Sequence, residues 1–145
     1  MLGGRLIVEA LELAACGGLR ATPQPAEGVT YAKKIDKAEA FVDWRSDAVC
    51  VAQHIRALNP APGAVTQWRG EAVKLWHALA CAASADAQAP GTVIHVSADA
   101  ITVACGSGAV RLTELQRPGG KRLSAAQFLQ GQSMRVGERF DVATV

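Results

Sequence analysis

The run Asn59-Pro60-Ala61-Pro62-Gly63 constrains this chain more than any other stretch. Two prolines within three positions remove backbone donors and fix φ, and each biases the residue before it away from the helical region, so no regular helix passes through. The patterns on the two sides differ accordingly. Before it, residues 47–58 place Val49, Ala52 and Ile55 at helical spacing with Ala48 beside them, and Ser46 is the expected N-cap. After it, AVTQW and AVKLWHAL flank Arg69-Gly70-Glu71, a compact turn signal that predicts a hairpin over residues 64–80. TVIHVS and ITVACG follow, separated by Ala98-Asp99-Ala100, and AVRLTELQ comes after Gly106-Ser107-Gly108. Pro118-Gly119-Gly120 predicts a loop, Ser124 an N-cap for a short helix AAQFLQ that Gly131 ends, and ERFDVATV a further edge strand. Short strands at hairpin spacing with one or two helices predict a mainly β fold, a small closed or partly open barrel of the oligonucleotide-binding type. Short meanders forming a sandwich are the alternative.

The N-terminal stretch reads differently. RLIVEALELAAC sets Leu6, Ile7, Leu11, Ala14 and Ala15 close to one helical face, and Gly17-Gly18 supply the stop. The following LRATPQPAEGVTYAKKIDKAEA carries Pro23, Pro25 and Gly28 among polar residues, the composition of an extended linker. An apolar helix hung on a long linker has no obvious partner within its own small unit and reads as part of something larger. The competing reading folds it back on the domain that follows.

At 145 residues the chain fits one modest domain with an appendage. Half of it is hydrophobic, which suffices for a packed core. Glu9 and Glu12 interrupt the most apolar segment, so no run approaches the ~20 apolar residues of a membrane helix. That segment also lacks the basic start and cleavage-like site of a signal peptide, which makes a cytoplasmic location and no membrane partner the simplest expectation. Cys16, Cys50, Cys81 and Cys105 are as scattered as His54, His77 and His95, and none forms half of a zinc site. They are expected to be buried or half-buried reduced thiols and incidental histidines.

Fifteen Lys and Arg against thirteen Asp and Glu leave a net charge of only +2. Its distribution is less even. Between Arg111 and Arg139 six basic residues (Arg111, Arg117, Lys121, Arg122, Arg135, Arg139) face two acidic ones (Glu114, Glu138), a local balance of +4 that would attract phosphate if folding gathers it. Arg117-Pro118-Gly119-Gly120-Lys121-Arg122 joins three cations through paired glycines, without the residue order of a P-loop. In Thr30-Tyr31-Ala32-Lys33-Lys34-Ile35 two ammonium groups lie beside an aromatic ring, a combination suited to RNA, although an ordinary solvated linker would read the same way. Trp44, Trp68 and Trp76 read as core rather than base-stacking platforms, with Trp68 and Trp76 sharing a packing cluster across the hairpin. No nucleophile–base constellation surrounds any histidine, and no Gly-rich dinucleotide fingerprint is present, so neither a catalytic nor a metal site is expected.

Taken together, Thr22-Pro23-Gln24, Thr30-Tyr31-Ala32-Lys33-Lys34-Ile35, Ile55-Arg56-Ala57-Leu58-Asn59-Pro60, Pro62-Gly63-Ala64 and Leu115-Gln116-Arg117-Pro118-Gly119-Gly120-Lys121-Arg122 resemble, in order and spacing, the C-terminal part of methionyl-tRNA formyltransferases. In that family a Rossmann-like N-terminal domain moves a formyl group from 10-formyltetrahydrofolate to the methionine amino group of initiator tRNA, and a C-terminal barrel helps hold the tRNA. The resemblance implies that residues 1–17 are the last helix of the catalytic domain, 18–40 the linker and 41–145 the tRNA-binding barrel. It implies Lys33, Lys34, Arg111, Arg117, Lys121, Arg122 and Arg135 as RNA contacts, with initiator methionyl-tRNA and a catalytic domain upstream of Met1 as partners. No cofactor is expected on this chain itself, and the chain alone is expected to be inactive; turnover in a folate-dependent formylation assay would overturn that. Ala61 departs from the aromatic residue usual between the two prolines, which removes any role for a ring there. A structural packing module between domains, or an independent RNA-binding domain, are the competing roles.

Overall fold

The computed structural model describes residues 2–81 and 88–141. The chain divides into two compact units, Met1–Lys34 and Ile35–Val145. The first contains helix α1, Leu2–Ala15, which stops where its glycines predict: Gly17 takes φ 67°, and the Gly17 and Gly18 amides donate to the Ala14 and Leu13 carbonyls at 3.1 and 2.8 Å. The apolar side chains Leu6, Ile7 and Leu11 are each at least half exposed. Beyond it the chain runs without regular secondary structure to Lys34.

The second unit begins with a 3-10 turn, Lys37–Ala40, closed by a reciprocal capping box between Asp36 and Glu39. Helix α2, Ala48–Ala57, follows as expected, but its cap is Asp47, whose carboxylate accepts from the Val49 and Cys50 amides at 2.9 and 3.0 Å. The buried face is Ala48, Val51, Ala52 and Ile55, while Val49, expected on it, is exposed.

Among the described residues seven strands form one antiparallel sheet, β1 (Ala64–Trp68), β2 (Glu71–Cys81), β3 (Val93–Val96), β4 (Ile101–Ala104), β5 (Ala109–Gln116), β6 (Leu123–Ser124) and β7 (Phe140–Asp141). The β1–β2 hairpin turns on Arg69 and Gly70, both at positive φ (52° and 79°), the pair of left-handed residues that a two-residue turn matched to sheet twist requires. The strand order is β3-β4-β5-β2-β1-β7, with β6 paired to β5. The two ends meet: Val93 donates to Glu138 O, Gly137 to Val93 O and Phe140 to Gly91 O, all at 2.8–2.9 Å, and Thr92 bridges Arg139. The sheet therefore curls into a small barrel of the oligonucleotide-binding type, mainly β as the strand spacing predicts. Residues 142–145 of the expected last strand lie outside the described residues.

The core fills the barrel. Val73, Leu75, Ile101, Val103, Leu112 and Leu115 point inward from the strands, and α2 closes one side with Val51 and Ile55. Helix α3, Ala125–Gly131, is capped by Ser124 in a reciprocal box with Gln127 and inserts Phe128 against Trp68, ring centroids 6.0 Å apart. Trp44 stacks on Phe140 at 5.6 Å and donates its indole N–H to buried Thr66 at 3.0 Å, which satisfies both polar groups inside the core.

Candidate nucleic-acid interface

Strand pairing separates the two hairpin tryptophans. Trp68 faces Glu71 across the hairpin, so odd-numbered residues at the start of β2 share its inward face and even-numbered ones point outward. Trp68 lies in the core with Phe128, whereas Trp76 lies outside that cluster on the other face of the sheet. The expected shared Trp68–Trp76 cluster does not form, because Trp76 is out of phase with the position that faces Trp68.

Trp76 is the floor of a different assembly. Its indole N–H donates to Gln116 Oε1 at 2.9 Å, and Gln116 Nε2 in turn donates to Gly120 O at 2.8 Å, which ties β2 to the glycine loop after β5. The Arg122 guanidinium lies 5.2 Å and the Lys74 ammonium 5.5 Å from the indole centroid, within cation–π range. Asn59 donates to Trp76 O at 2.9 Å and accepts from Arg122 at 3.4 Å, while Lys74 donates to Pro62 O at 3.0 Å. Gly63 closes the contact: at φ 84°, a Cβ there would stand 2.9 Å from Trp76 Cη2. The proline run and the Gln116–Arg122 segment, far apart in the chain, are thus fastened to one indole.

Beside this assembly opens a cleft of about 330 Å³, floored by Val65 and Ala72 and walled by Lys74, Gln116, Arg117 and Pro118. Lys121 on the same loop is exposed, with no acidic partner among the described residues. Lys74, Asn59 and Gln116 are site residues that the sequence expectations omit, although the alternation Lys74-x-Trp76 signals that both lie on the outward face.

The other expected contacts are placed elsewhere. Arg111 stands near the opposite end of β5, about 20 Å along the strand from Arg117, and binds Asp99 at 2.6 Å. The Ser97 hydroxyl and then Arg111 hold the Asp99 carboxyl below its ordinary value. Arg135 is exposed and donates its backbone N–H to Glu138. Burial pushes the Glu138 carboxyl up, but hydrogen bonds from Arg69 and Trp68 outweigh it and leave it below the usual glutamate range. Lys33 and Lys34 belong to the first unit, in a segment without regular secondary structure where Tyr31 is 91% exposed.

Folding also changes the charge balance. Arg117 donates to Glu71 within 3.0 Å through both Nε and Nη2, and Arg122 pairs with Glu114. Glu71 and Asp99 come from outside the window that gave +4, so the linear count overstates the free positive charge. Among the cysteines, Cys16 and Cys50 are exposed, contrary to expectation, while burial pushes the Cys105 thiol up to about 12. No group of three or more His, Cys, Asp or Glu among the described residues is placed to hold a metal, and no helix there is long and apolar enough to cross a membrane.

A family model described as formyl transferase, C-terminal domain, matches residues 34–133. Methionyl-tRNA formyltransferase of Delftia acidovorans is 56% identical over 98% of this chain and 44% of its own length. That of Acidovorax ebreus is 56% identical over 94% of the chain and 43% of its length. The chain thus spans less than half of these relatives. Among solved structures, a HypX variant from Aquifex aeolicus aligns over 91% of this chain and 23% of its own, with TM-score 0.71 and 26% identity. HypX in complex with tetrahydrofolic acid aligns over 85% of this chain and 22% of its own, with TM-score 0.67 and 25% identity.

Proposed function

The chain belongs to the formyl transferase C-terminal domain family, and from that membership we propose that it is the tRNA-holding part of a methionyl-tRNA formyltransferase. In this reading the remainder of the enzyme binds 10-formyltetrahydrofolate and transfers the formyl group to initiator methionyl-tRNA. Residues 1–17 then belong with the catalytic part, 18–40 form the linker and 41–145 the RNA-facing barrel. The donor set around Trp76, cations and amides without a paired acid and base, suits a polyanion rather than formyl transfer. The barrel's contribution to the rate is positional: holding the acceptor end near the donor makes the transfer effectively unimolecular.

The observation that carries this reading is the convergence of the proline run and the Gln116–Arg122 loop on Trp76, which holds Arg122, Lys74 and the loop bearing Lys121 at one rim. Arg117 extends that rim, and Lys33, Lys34, Arg111 and Arg135 are assigned outlying phosphate contacts. The second reading, a packing module between domains, draws on the carboxylates that already occupy Arg111, Arg117 and Arg122. Titration of initiator tRNA with this chain across a salt series separates the two. The RNA-holding role predicts affinity that falls as salt rises, and a shallower salt slope when Lys121 and Arg122 become Ala. No binding even at low salt supports the packing module instead.

A further inference from the structure

Each arginine of the rim already holds a carboxylate. Arg117 is held by Glu71, from the start of the neighbouring strand β2, with bonds of 2.7 and 3.0 Å, and Arg122 by Glu114 from β5. All four side chains are between a third and a half exposed, so a phosphate can reach each guanidinium and solvent can reach each released carboxylate. Both carboxylates meet the Nε and Nη2 edge of their arginine, Glu71 with both oxygens on Arg117 and Glu114 with Oε2 alone on Arg122. This is the edge a phosphate would use for bidentate binding. Neither carboxylate has another hydrogen-bond donor among the described residues.

Resting on the RNA-holding role, we propose that Glu71 and Glu114 are built-in competitors for the RNA phosphates, setting the affinity of this face by occupying Arg117 and Arg122 until RNA displaces them. Displacement has a signature in salt dependence. A phosphate that meets a free arginine releases a counterion, whereas one that evicts a carboxylate leaves that carboxylate to gather a cation from solution. The paired arginines therefore contribute less to the salt slope than Lys121 does. Exposed pairs are weak, so the restraint is modest, about two- to five-fold in affinity for each.

The test compares tRNA binding by four forms of the full chain across a salt series: unchanged, E71Q/E114Q, R117A/R122A and all four substitutions together. The expected result is binding about 5- to 20-fold tighter for E71Q/E114Q at low salt, with a steeper salt slope, and no such gain when the arginines are absent. A gain that persists without the arginines would assign the effect to general charge and overturn the proposal. Unchanged affinity in E71Q/E114Q, while the unchanged chain binds, would overturn it and leave the RNA-holding role standing. Absence of binding in all four forms would overturn both. Near-UV circular dichroism, which reads the packing of the aromatic side chains, verifies that each form keeps its fold, and R117Q/R122Q removes the cations with longer side chains where the alanine pair does not fold.

Discussion

Gly63 joins backbone conformation to the candidate site. Its φ of 84° is unfavourable for any residue with a Cβ, and the Cβ would also press on the Trp76 ring. Gly63→Ala should therefore destabilise the barrel by about 1–3 kcal/mol in denaturant unfolding and weaken RNA binding through the displaced indole. Stability within about 0.5 kcal/mol of the unchanged chain, on the order of an ordinary surface substitution, would contradict that contact. The proline-glycine run is legible as a break, but its attachment to Trp76 is not, since nothing local in the chain states which side chain a turn will meet. Glu138 is a second residue whose partners come from afar, Arg69 and Trp68 on the hairpin. Its carboxyl titrates below the ordinary glutamate value in the folded chain, so its stabilisation is present above that value and is lost as pH falls through the lowered folded one. Glu138→Gln should cost about 1 kcal/mol at neutral pH and flatten the acid limb of the stability curve, while an unchanged limb would remove Glu138 from it.

At the scale of elements, capping and period decide what can be foreseen. Helix α3 is short, and its reciprocal box between Ser124 and Gln127 positions Phe128 on Trp68. Ser124→Ala should lower stability by about 1 kcal/mol, read as a drop in denaturation midpoint at constant m, and an unchanged midpoint would show that packing of Phe128 alone holds the helix. That cap is legible because serine, the glutamine three residues on and the apolar run occur together. The cap of α2 falls one residue from its expected place because Ser46 and Asp47 are both good caps, and only the packing of Val51 over Val49 chooses between them. Both arms of the hairpin are visible from their turn. Setting both tryptophans on one face neglects the register that the two-residue turn imposes.

For the whole molecule, the barrel follows from the number and spacing of strands, and its closure through Gly91, Thr92 and Val93 against residues 137–140 does not, because those contacts join segments with no shared pattern. The same limit applies to charge. A window along the chain counts arginines but not the carboxylates that folding brings to them, and Glu71 and Asp99 both arrive from outside it. The proposed RNA-facing rim is Lys74 and Arg122 over one indole, with Arg117 and Lys121 on the adjoining loop, a smaller surface than the linear count implies. The three indole N–H groups report on it separately, since Trp44 donates to Thr66, Trp68 to Glu138 and Trp76 to Gln116. The most direct measurement is therefore the proton–nitrogen spectrum of those indoles during titration with initiator tRNA. The Trp76 signal should move in step with binding while that of Trp44, buried in the core, stays in place; binding that leaves Trp76 unmoved would contradict an RNA-holding face at this rim.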